Sequence, residues 1–95
     1  MNAYRLTPRA RYDVREIWAY TVSAWGRRAA DRYNRELTKT FEAIAKDPIH
    51  GASVEDMDCR KQVFPSHVIF YGADRDEIIV VRVLHQQMDA PSHLA

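Results

Sequence analysis

The chain has 95 residues, a formal net charge of +1, and 46% hydrophobic against 28% charged residues. This length corresponds to one domain, and the composition is typical of a globular rather than a disordered protein. The single cysteine, Cys59, excludes a disulfide within the chain. No apolar run approaches the roughly 18 residues of a membrane span, and the first residues lack the apolar core of a signal peptide. We therefore predict one domain, residues 1–95, of a cytoplasmic protein.

The charge is distributed unevenly. Residues 1–47 hold ten Arg or Lys against six Asp or Glu, whereas residues 48–95 hold four against seven. The basic half is compatible with an acidic partner or with nucleic acid. We favour the simpler interpretation that these are solvent-facing helix residues, because the whole domain is less basic than a typical nucleic-acid-binding domain.

The first half of the chain predicts a short strand followed by two helices. Residues 3–6 alternate as in a brief strand, and Thr7-Pro8 is typical of a helix start. Gly26 separates two apolar stripes at helical spacing, and Pro48 follows the second, so we predict an antiparallel helical hairpin. The stripe positions are Ala10, Val14, Ile17, Trp18, Thr21 and Trp25, then Ala30, Tyr33, Leu37, Phe41, Ile44 and Ala45.

The aromatic residues of the helices fall into two groups. Four of them lie on the helix faces that are expected to meet a sheet, so we predict that these four belong to the core. Tyr12 and Tyr20 fall off the main stripe and are candidates for a surface contact, since exposed aromatic residues are favoured as interface anchors. The predicted core aromatics are Trp18, Trp25, Tyr33 and Phe41.

The second half predicts an exposed loop at 48–58 and then three antiparallel strands. A tight turn at 65–66 separates the first two strands, and a polar turn at 72–77 precedes the third, which covers 78–84. Alternation places Val68 and Phe70 on one face, and Ile69 and Tyr71 on the other. In the last strand, the same alternation places Arg82 on the face that carries Ile78, Val80 and Leu84.

Together these elements predict an α+β fold. A short N-terminal strand and a two-helix antiparallel hairpin pack on a largely antiparallel sheet of three to four strands. The hairpin covers one face of the sheet, and the other face has no helix of its own. We therefore expect a partner to cover that second face, and a polar tail to follow the last strand.

The motifs of cofactor and metal sites are missing from the sequence, so we predict neither. The four histidines (His50, His67, His85 and His93) do not have the spacing of a zinc motif. Three isolated glycines do not make a phosphate loop, and no serine occupies a nucleophile elbow. Cys59 precedes basic residues that could lower its pKa, but we interpret it as a bystander.

One cluster offers possible chemistry. Basic side chains can hold a phosphate and histidine can move a proton near neutral pH, so the cluster is compatible with cleavage of an RNA phosphodiester. The alternative, which we favour, is that these are strand residues satisfied by hydrogen bonds or solvent. The residues concerned are Arg60, Lys61, His67, Tyr71, Arg82 and His85.

Six segments of the chain resemble the ParE toxins, which belong to the RelE/ParE superfamily of type II toxin–antitoxin systems. Each segment alone is a weak signal, but they follow the family's order over nearly the whole chain. The segments are 4–10, 17–21, 25–26, 30–33, 67–71 and 83–89, with His93-Leu94 closing the tail.

The resemblance implies a RelE/ParE fold and a growth-arresting toxin. Its partner would be a ParD-like antitoxin with a ribbon-helix-helix DNA-binding part and a tail that wraps the toxin, so the toxin would reach DNA only through the antitoxin. ParE-like toxins act on DNA gyrase without chemistry of their own, whereas RelE-like relatives cut mRNA on the ribosome. The exit 85–89 lacks the denser basic or tyrosine-containing tail of the ribonucleases, which favours the gyrase branch.

These considerations predict three sets of residues. The toxic surface comprises Met88, Asp89, His93 and Leu94. The antitoxin-binding groove comprises Tyr12, Tyr20, Val68, Phe70, Val80 and Leu84. If the protein were instead a ribonuclease, its catalytic residues would be Arg60, Lys61, His67, Arg82 and His85.

Overall fold

The structure, a computed structural model, describes residues 3–49, 51–54, 57–88 and 90–94. Within these ranges the chain forms five strands and three helices. Their order is β1 (Ala3–Leu6), α1 (Pro8–Trp25), α2 (Arg27–Lys46), β2 (Ala52–Ser53), β3 (Arg60–Phe64), β4 (His67–Asp74), β5 (Glu77–His85) and α3 (Ala90–Leu94). In these ranges no helix has the length and apolar character needed to cross a bilayer.

The strands form one sheet in the order β1-β5-β4-β3-β2. β1 lies parallel to β5, and the other neighbours are antiparallel. The predicted α+β fold with its helical hairpin is confirmed. The sheet has one strand more than expected because β2 lies inside the segment predicted to be a loop. Its two residues are too few to produce an alternating pattern, so the sequence carries no signal for it.

Local signals set the bounds of both long helices. Thr7 has an extended backbone, and its Oγ1 accepts a hydrogen bond from the Ala10 N–H at 3.1 Å. Pro8 occupies the first helical position, where its missing N–H costs nothing. Gly26, with φ at 91°, separates α1 from α2, and a residue with a Cβ adopts such an angle only at a cost. One glycine therefore reverses the chain direction and sets up the hairpin.

The core lies between this hairpin and one face of the sheet. Burying a large aliphatic or aromatic side chain contributes about 1.5–3 kcal/mol, so this layer is the main source of stability. The buried members from the sheet and from the helices are Phe64, Ile69, Tyr71, Ile78, Val80, Val83, Ala10, Leu37, Phe41, Ile44 and Ala45.

A β-bulge changes which way the side chains of β5 point. Tyr71 pairs with Val80, whereas its neighbour Phe70 pairs with Arg82, so Val81 is the extra residue. Val80 therefore lies on the core face with Tyr71, and Arg82 lies on the face of Phe70. The prediction that Val80 and Arg82 share a face is wrong, because one inserted residue breaks the period of two.

The second face of the sheet is better covered than predicted. Phe70 and Leu84 are both buried, and a short helix, α3, contacts β5. The polar composition of this C-terminal segment predicted a tail. The helix was missed because five residues are too few to show an apolar period.

One of the four predicted core aromatics lies outside the core. Phe41 is buried, Tyr33 packs against the core cluster, and Trp18 is partly buried. Trp25, in contrast, is 77% exposed. It is the last residue of α1, where the chain reverses at Gly26, so it lies at the tip of the hairpin instead of between helix and sheet.

The segment between α2 and β3 is anchored by the side chain of Tyr71. Its hydroxyl donates to the Pro48 carbonyl at 2.8 Å and accepts from the Gly51 N–H at 3.2 Å. Arg60 adds a bond to the Gly51 carbonyl at 2.7 Å. Burial raises the pKa of Tyr71. A loop that contains few apolar residues is thus fixed to the sheet by buried hydrogen bonds.

Candidate functional site

A buried ion pair between Asp13 and Arg82 lies at the part of the β5 edge that has no neighbouring strand. β1 pairs with β5 only as far as Val80. Beyond that point, Asp13 of α1 accepts the Val83 N–H at 3.0 Å and two bonds from the Arg82 guanidinium at 2.8 and 3.0 Å. Asp13 and Arg82 are only 9% and 8% exposed. A carboxylate on a helix therefore satisfies a backbone donor that would otherwise need a neighbouring strand.

Arg82 also reaches the C-terminal helix. Its Nη1 donates to the His93 carbonyl at 3.1 Å, which ties α3 to β5. The hydrogen bonds with Asp13 raise the pKa of Arg82, and burial opposes them. The guanidinium thus links α1, β5 and α3, because it donates hydrogen bonds to Asp13 and to the His93 carbonyl.

A groove of about 480 Å³ lies beside this ion pair, between α1 and the C-terminal end of β5. Its outer wall carries two exposed rings, Tyr12 at 56% and Tyr20 at 71%. The ion pair itself forms part of the lining. The groove therefore combines exposed aromatic surface with a fixed charged pair. Its lining residues are Tyr12, Asp13, Glu16, Ile17, Tyr20, His67, Arg82, Val83, Leu84, His85 and Met88.

Two histidines lie at the end of the groove. His67 and His85 pair across β4 and β5, with ring centroids 5.6 Å apart. The Tyr33 hydroxyl lies 2.7 Å from Nδ1 of His67, and the backbone N–H of Gln87 donates to Nδ1 of His85 at 3.1 Å. Burial and the neighbouring His85 lower the pKa of His67, while Asp13 acts in the opposite direction. His67 is therefore mainly neutral at pH 7.

The predicted ribonuclease residues only partly come together. His67, Arg82 and His85 share the groove, but Arg82 is committed to Asp13. Arg60 and Lys61 lie on β3, outside the groove lining, and Arg60 pairs with Tyr71 in the middle of β4. Four residues of strand, or roughly 13 Å, separate that position from His67. The expectation of one continuous basic cluster is therefore wrong.

The predicted antitoxin residues divide by burial. Tyr12 and Tyr20 are exposed and line the groove, and Leu84 belongs to the lining although it is buried. Val68 is partly buried and Phe70 is buried, and neither belongs to the lining. Val80 is a core residue under the helices, which corrects its inclusion in an accessible surface. The bulge at Val81 is the physical reason, since strict alternation would have put Val80 beside Leu84.

One of the predicted toxic residues lies in the same groove. Met88 is exposed and belongs to its lining. His93 and Leu94 are partly buried in α3. Asp89 lies outside the described residues. Across the described ranges, no three His, Cys, Asp or Glu side chains are placed to hold a metal ion.

Asp13 is the main residue that the sequence analysis missed. It follows Ala10 by three positions and precedes Ile17 by four, so it falls on the apolar stripe of α1. Arg82 is likewise the one charge within the apolar run 78–84. Two opposite charges embedded in apolar segments are a signal for a buried pair, and that signal would have found this contact.

Comparison with known proteins places the chain in a family. The profile described as "ParE toxin of type II toxin-antitoxin system, parDE" matches residues 4–90. The chain is 41% identical to Toxin ParE1 of Caulobacter vibrioides over 96 residues, which covers 99% of each protein. It is 37% identical to Toxin ParE1 of Mycobacterium tuberculosis over 98% of each, and 32% identical to Toxin ParE of Escherichia coli over 100% of this chain and 95% of the relative.

Solved structures agree on the fold. A chain from the chromosomal ParDE system of P. aeruginosa superimposes with a TM-score of 0.79 at 17% identity, covering 90% of this chain and 96% of that one. A chain from the RelBE2 toxin–antitoxin complex of Mycobacterium tuberculosis gives 0.59 at 16% identity, with 90% and 98% covered. From the sequence match over 4–90 and the full-length relatives, the chain belongs to the ParE toxin family of type II toxin–antitoxin systems.

Proposed function

We propose that this protein is a growth-arresting toxin that is neutralised by a ParD-like antitoxin and that inhibits DNA gyrase in the cytoplasm. The family supports the general role. The observation that carries the antitoxin part is the groove beside α1, with two exposed tyrosines on its wall. Tyrosines of this kind are frequent anchors of protein interfaces.

The groove suits a peptide segment. It has a volume of about 480 Å³ and runs between a helix and the end of a strand. Segments that are helical or extended bind such grooves by laying apolar side chains into them. Tyr12 and Tyr20 are eight residues apart on α1, about 12 Å along the helix axis. An antitoxin segment would cover both rings and so remove apolar surface from water.

The state of the charged residues favours a toxin that binds its target without chemistry. Arg82 is neutralised by Asp13, and Arg60 is bonded to loop carbonyls. The Arg82 guanidinium is thus paired inside the protein, and Nη1 of Arg60 holds the loop, which favours structural roles for both. The exposed C-terminal residue Met88 and the α3 residues His93 and Leu94 remain the proposed contact with gyrase.

A second candidate function, ribosome-dependent cleavage of mRNA, has one specific observation in its favour. His67 and His85 are adjacent, and the Tyr33 hydroxyl lies against His67. A neutral histidine beside a second histidine could serve as a proton acceptor and donor pair. We rank it second because the basic residues that would hold the phosphate are not assembled.

The test of the gyrase part uses purified gyrase with this protein, in supercoiling and DNA-cleavage assays. Inhibition with accumulated cleaved DNA, relieved by the cognate antitoxin, is expected. Deletion of residues 89–95, which spares the groove-lining residue Met88, should abolish inhibition and leave antitoxin binding intact. An unaffected gyrase, together with mRNA cleavage by translating ribosomes that His67→Gln abolishes, would instead support the second candidate.

The antitoxin part has its own test. The double variant Tyr12→Ala/Tyr20→Ala should bind the antitoxin at least about tenfold more weakly, since each anchor contributes on the order of 1–2 kcal/mol. The matched control is Val63→Ala, an exposed residue on β3 outside the groove. If the tyrosine variant and the control retained the same affinity, the groove assignment would be wrong.

A further inference from the structure

A stripe of cations runs along the outer face of α2. Arg28, Arg32, Arg35 and Lys39 follow one another at i, i+4, i+7 and i+11, which places them on one side of a helix. All four are exposed, and the buried residues of α2 lie on the opposite side. At 1.5 Å per residue, the stripe is about 16 Å long. We call these four residues the α2 stripe.

The α2 stripe has little internal compensation. In the part of the chain that the structure describes, Arg28, Arg32 and Arg35 form no ion pair, and Lys39 has only a 3.9 Å contact with Glu36. Like charges at this spacing destabilise a helix by about 0.2–0.5 kcal/mol per pair. A face whose only role is solvation usually mixes both signs.

Asp31 and Glu36 flank the stripe at four-residue spacing from Arg35 and Arg32. However, the Asp31 carboxylate accepts a hydrogen bond from the Trp18 Nε1, and within the described ranges the Glu36 carboxylate makes only the 3.9 Å contact. Four aligned cations with so little ion pairing favour a negatively charged partner.

An exposed aromatic ring lies beside the stripe. Trp25 and Arg32 line the same hollow of about 550 Å³, together with Thr21, Ala29, Tyr33 and Glu36. A ring next to guanidinium groups is typical of surfaces that bind nucleic acid, because the ring stacks on bases and the guanidinium pairs with phosphates. This second observation favours a nucleic acid over an acidic peptide.

We propose that the α2 stripe binds the phosphates of DNA directly and that Trp25 stacks on an unpaired base beside them. The inference rests on the proposed function, since gyrase acts on DNA and a toxin held against that DNA would gain contacts without chemistry. It departs from the expectation that DNA is reached only through the antitoxin. The stripe shares no residue with the groove beside α1, so the two surfaces use separate side chains.

The test measures binding of the purified, full-length toxin to a fluorescein-labelled DNA duplex with a single-stranded overhang, by fluorescence anisotropy between 50 and 200 mM salt. The variant is Arg28→Ala/Arg32→Ala/Arg35→Ala. The matched control is Arg9→Ala/Arg11→Ala/Arg15→Ala, which removes the same charge from exposed positions of α1. Alanine suits both helices, so circular dichroism should show that both variants are folded.

The stripe variant should bind DNA at least about tenfold more weakly at 50 mM salt. Its slope of log affinity against log salt should be smaller by about 2.7, or about 0.9 for each lost phosphate contact. The control should stay within about twofold of the natural protein. DNA should also change the tryptophan fluorescence, and Trp25→Phe should remove that change while Trp18 remains.

Three results would overturn the proposal. The first is no DNA binding by the natural protein at 50 mM salt, and the second is an equal loss in both triple variants. The third is a stripe variant that keeps DNA affinity and loses antitoxin affinity, which would make the stripe a protein interface. Because the toxin is measured without gyrase, these results are independent of whether gyrase is the target.

Discussion

The buried pair between Asp13 and Arg82 allows a quantitative prediction. Asp13→Asn removes the negative charge and keeps nearly the same shape. With the asparagine Oδ1 in the place of the Asp13 Oδ2, the Val83 N–H and the Arg82 Nε–H can still donate to it. The side-chain NH2 then faces the Arg82 Nη2, so that hydrogen bond is lost together with the negative charge. Removing one partner of a buried ion pair costs about 3–5 kcal/mol, because the other charge stays buried without compensation. With these two hydrogen bonds retained, we expect about 3 kcal/mol, the lower end of that range.

That cost is a large share of the stability of such a chain. At about 0.05–0.15 kcal/mol per residue, a domain of this size has roughly 5–14 kcal/mol in total. For domains of 60–100 residues, each kcal/mol shifts Tm by about 4–8 °C, so the variant should melt about 12–24 °C lower. Urea unfolding at 25 °C and thermal circular dichroism measure both quantities.

The double variant Asp13→Asn/Arg82→Met provides the control for this reasoning. It removes both charges, and apolar replacement of a buried ion pair is often neutral or better. The double variant should therefore be more stable than Asp13→Asn alone. A loss below about 1 kcal/mol for Asp13→Asn, or simple additivity of the two single variants, would show that the pair behaves as a solvated surface pair.

Three further predictions concern other parts of the chain. Burial and His85 lower the pKa of His67 in the folded state. In the unfolded chain His67 has a pKa of about 6.5, so on acidification it binds a proton before the folded protein does. Stability should fall as pH drops from about 6.5 through the folded pKa, and His67→Gln should reduce this slope in urea titrations; equal slopes would contradict it. A Cβ at Gly51 would lie 2.7 Å from the Lys61 carbonyl and against the Tyr71 ring, so Gly51→Ala should lower the free energy of unfolding by about 1–3 kcal/mol, and an unchanged urea midpoint would refute this. Burial and Asp58 raise the pKa of the Cys59 thiol, so its alkylation by iodoacetamide at pH 7 should be slower than that of free cysteine, with urea-unfolded protein as the control.

Much of the secondary structure could be predicted because its causes are local. The cap at Thr7, the glycine at Gly26 and the apolar stripes lie within a few residues of the elements that they define. A turn at 65–66 likewise separates β3 from β4. The family resemblance extended these local signals to the fold, and the match over 4–90 agrees with it.

The candidate site was less predictable, because its residues meet across the chain. Tyr12 and Tyr20 were found from their position off the apolar stripe, a local signal. Asp13 and Arg82, in contrast, are 69 residues apart and form one contact. The basic residues of β3 and the histidines of β4 and β5 are on adjoining strands but at opposite ends of them, which depends on strand register.

The features that could be predicted and those that could not differ in how far apart along the chain the interacting residues are. Backbone dihedral preferences, caps and amphipathic periods act over a few residues, so they are readable from the chain alone and set α1, α2 and the main strands. The bulge at Val81 and the ion pair between Asp13 and Arg82 arise only when distant segments pack together. A single extra residue opposite β4 was enough to move Val80 into the core and Arg82 out of it, because the side-chain period of a strand is two and any insertion reverses it.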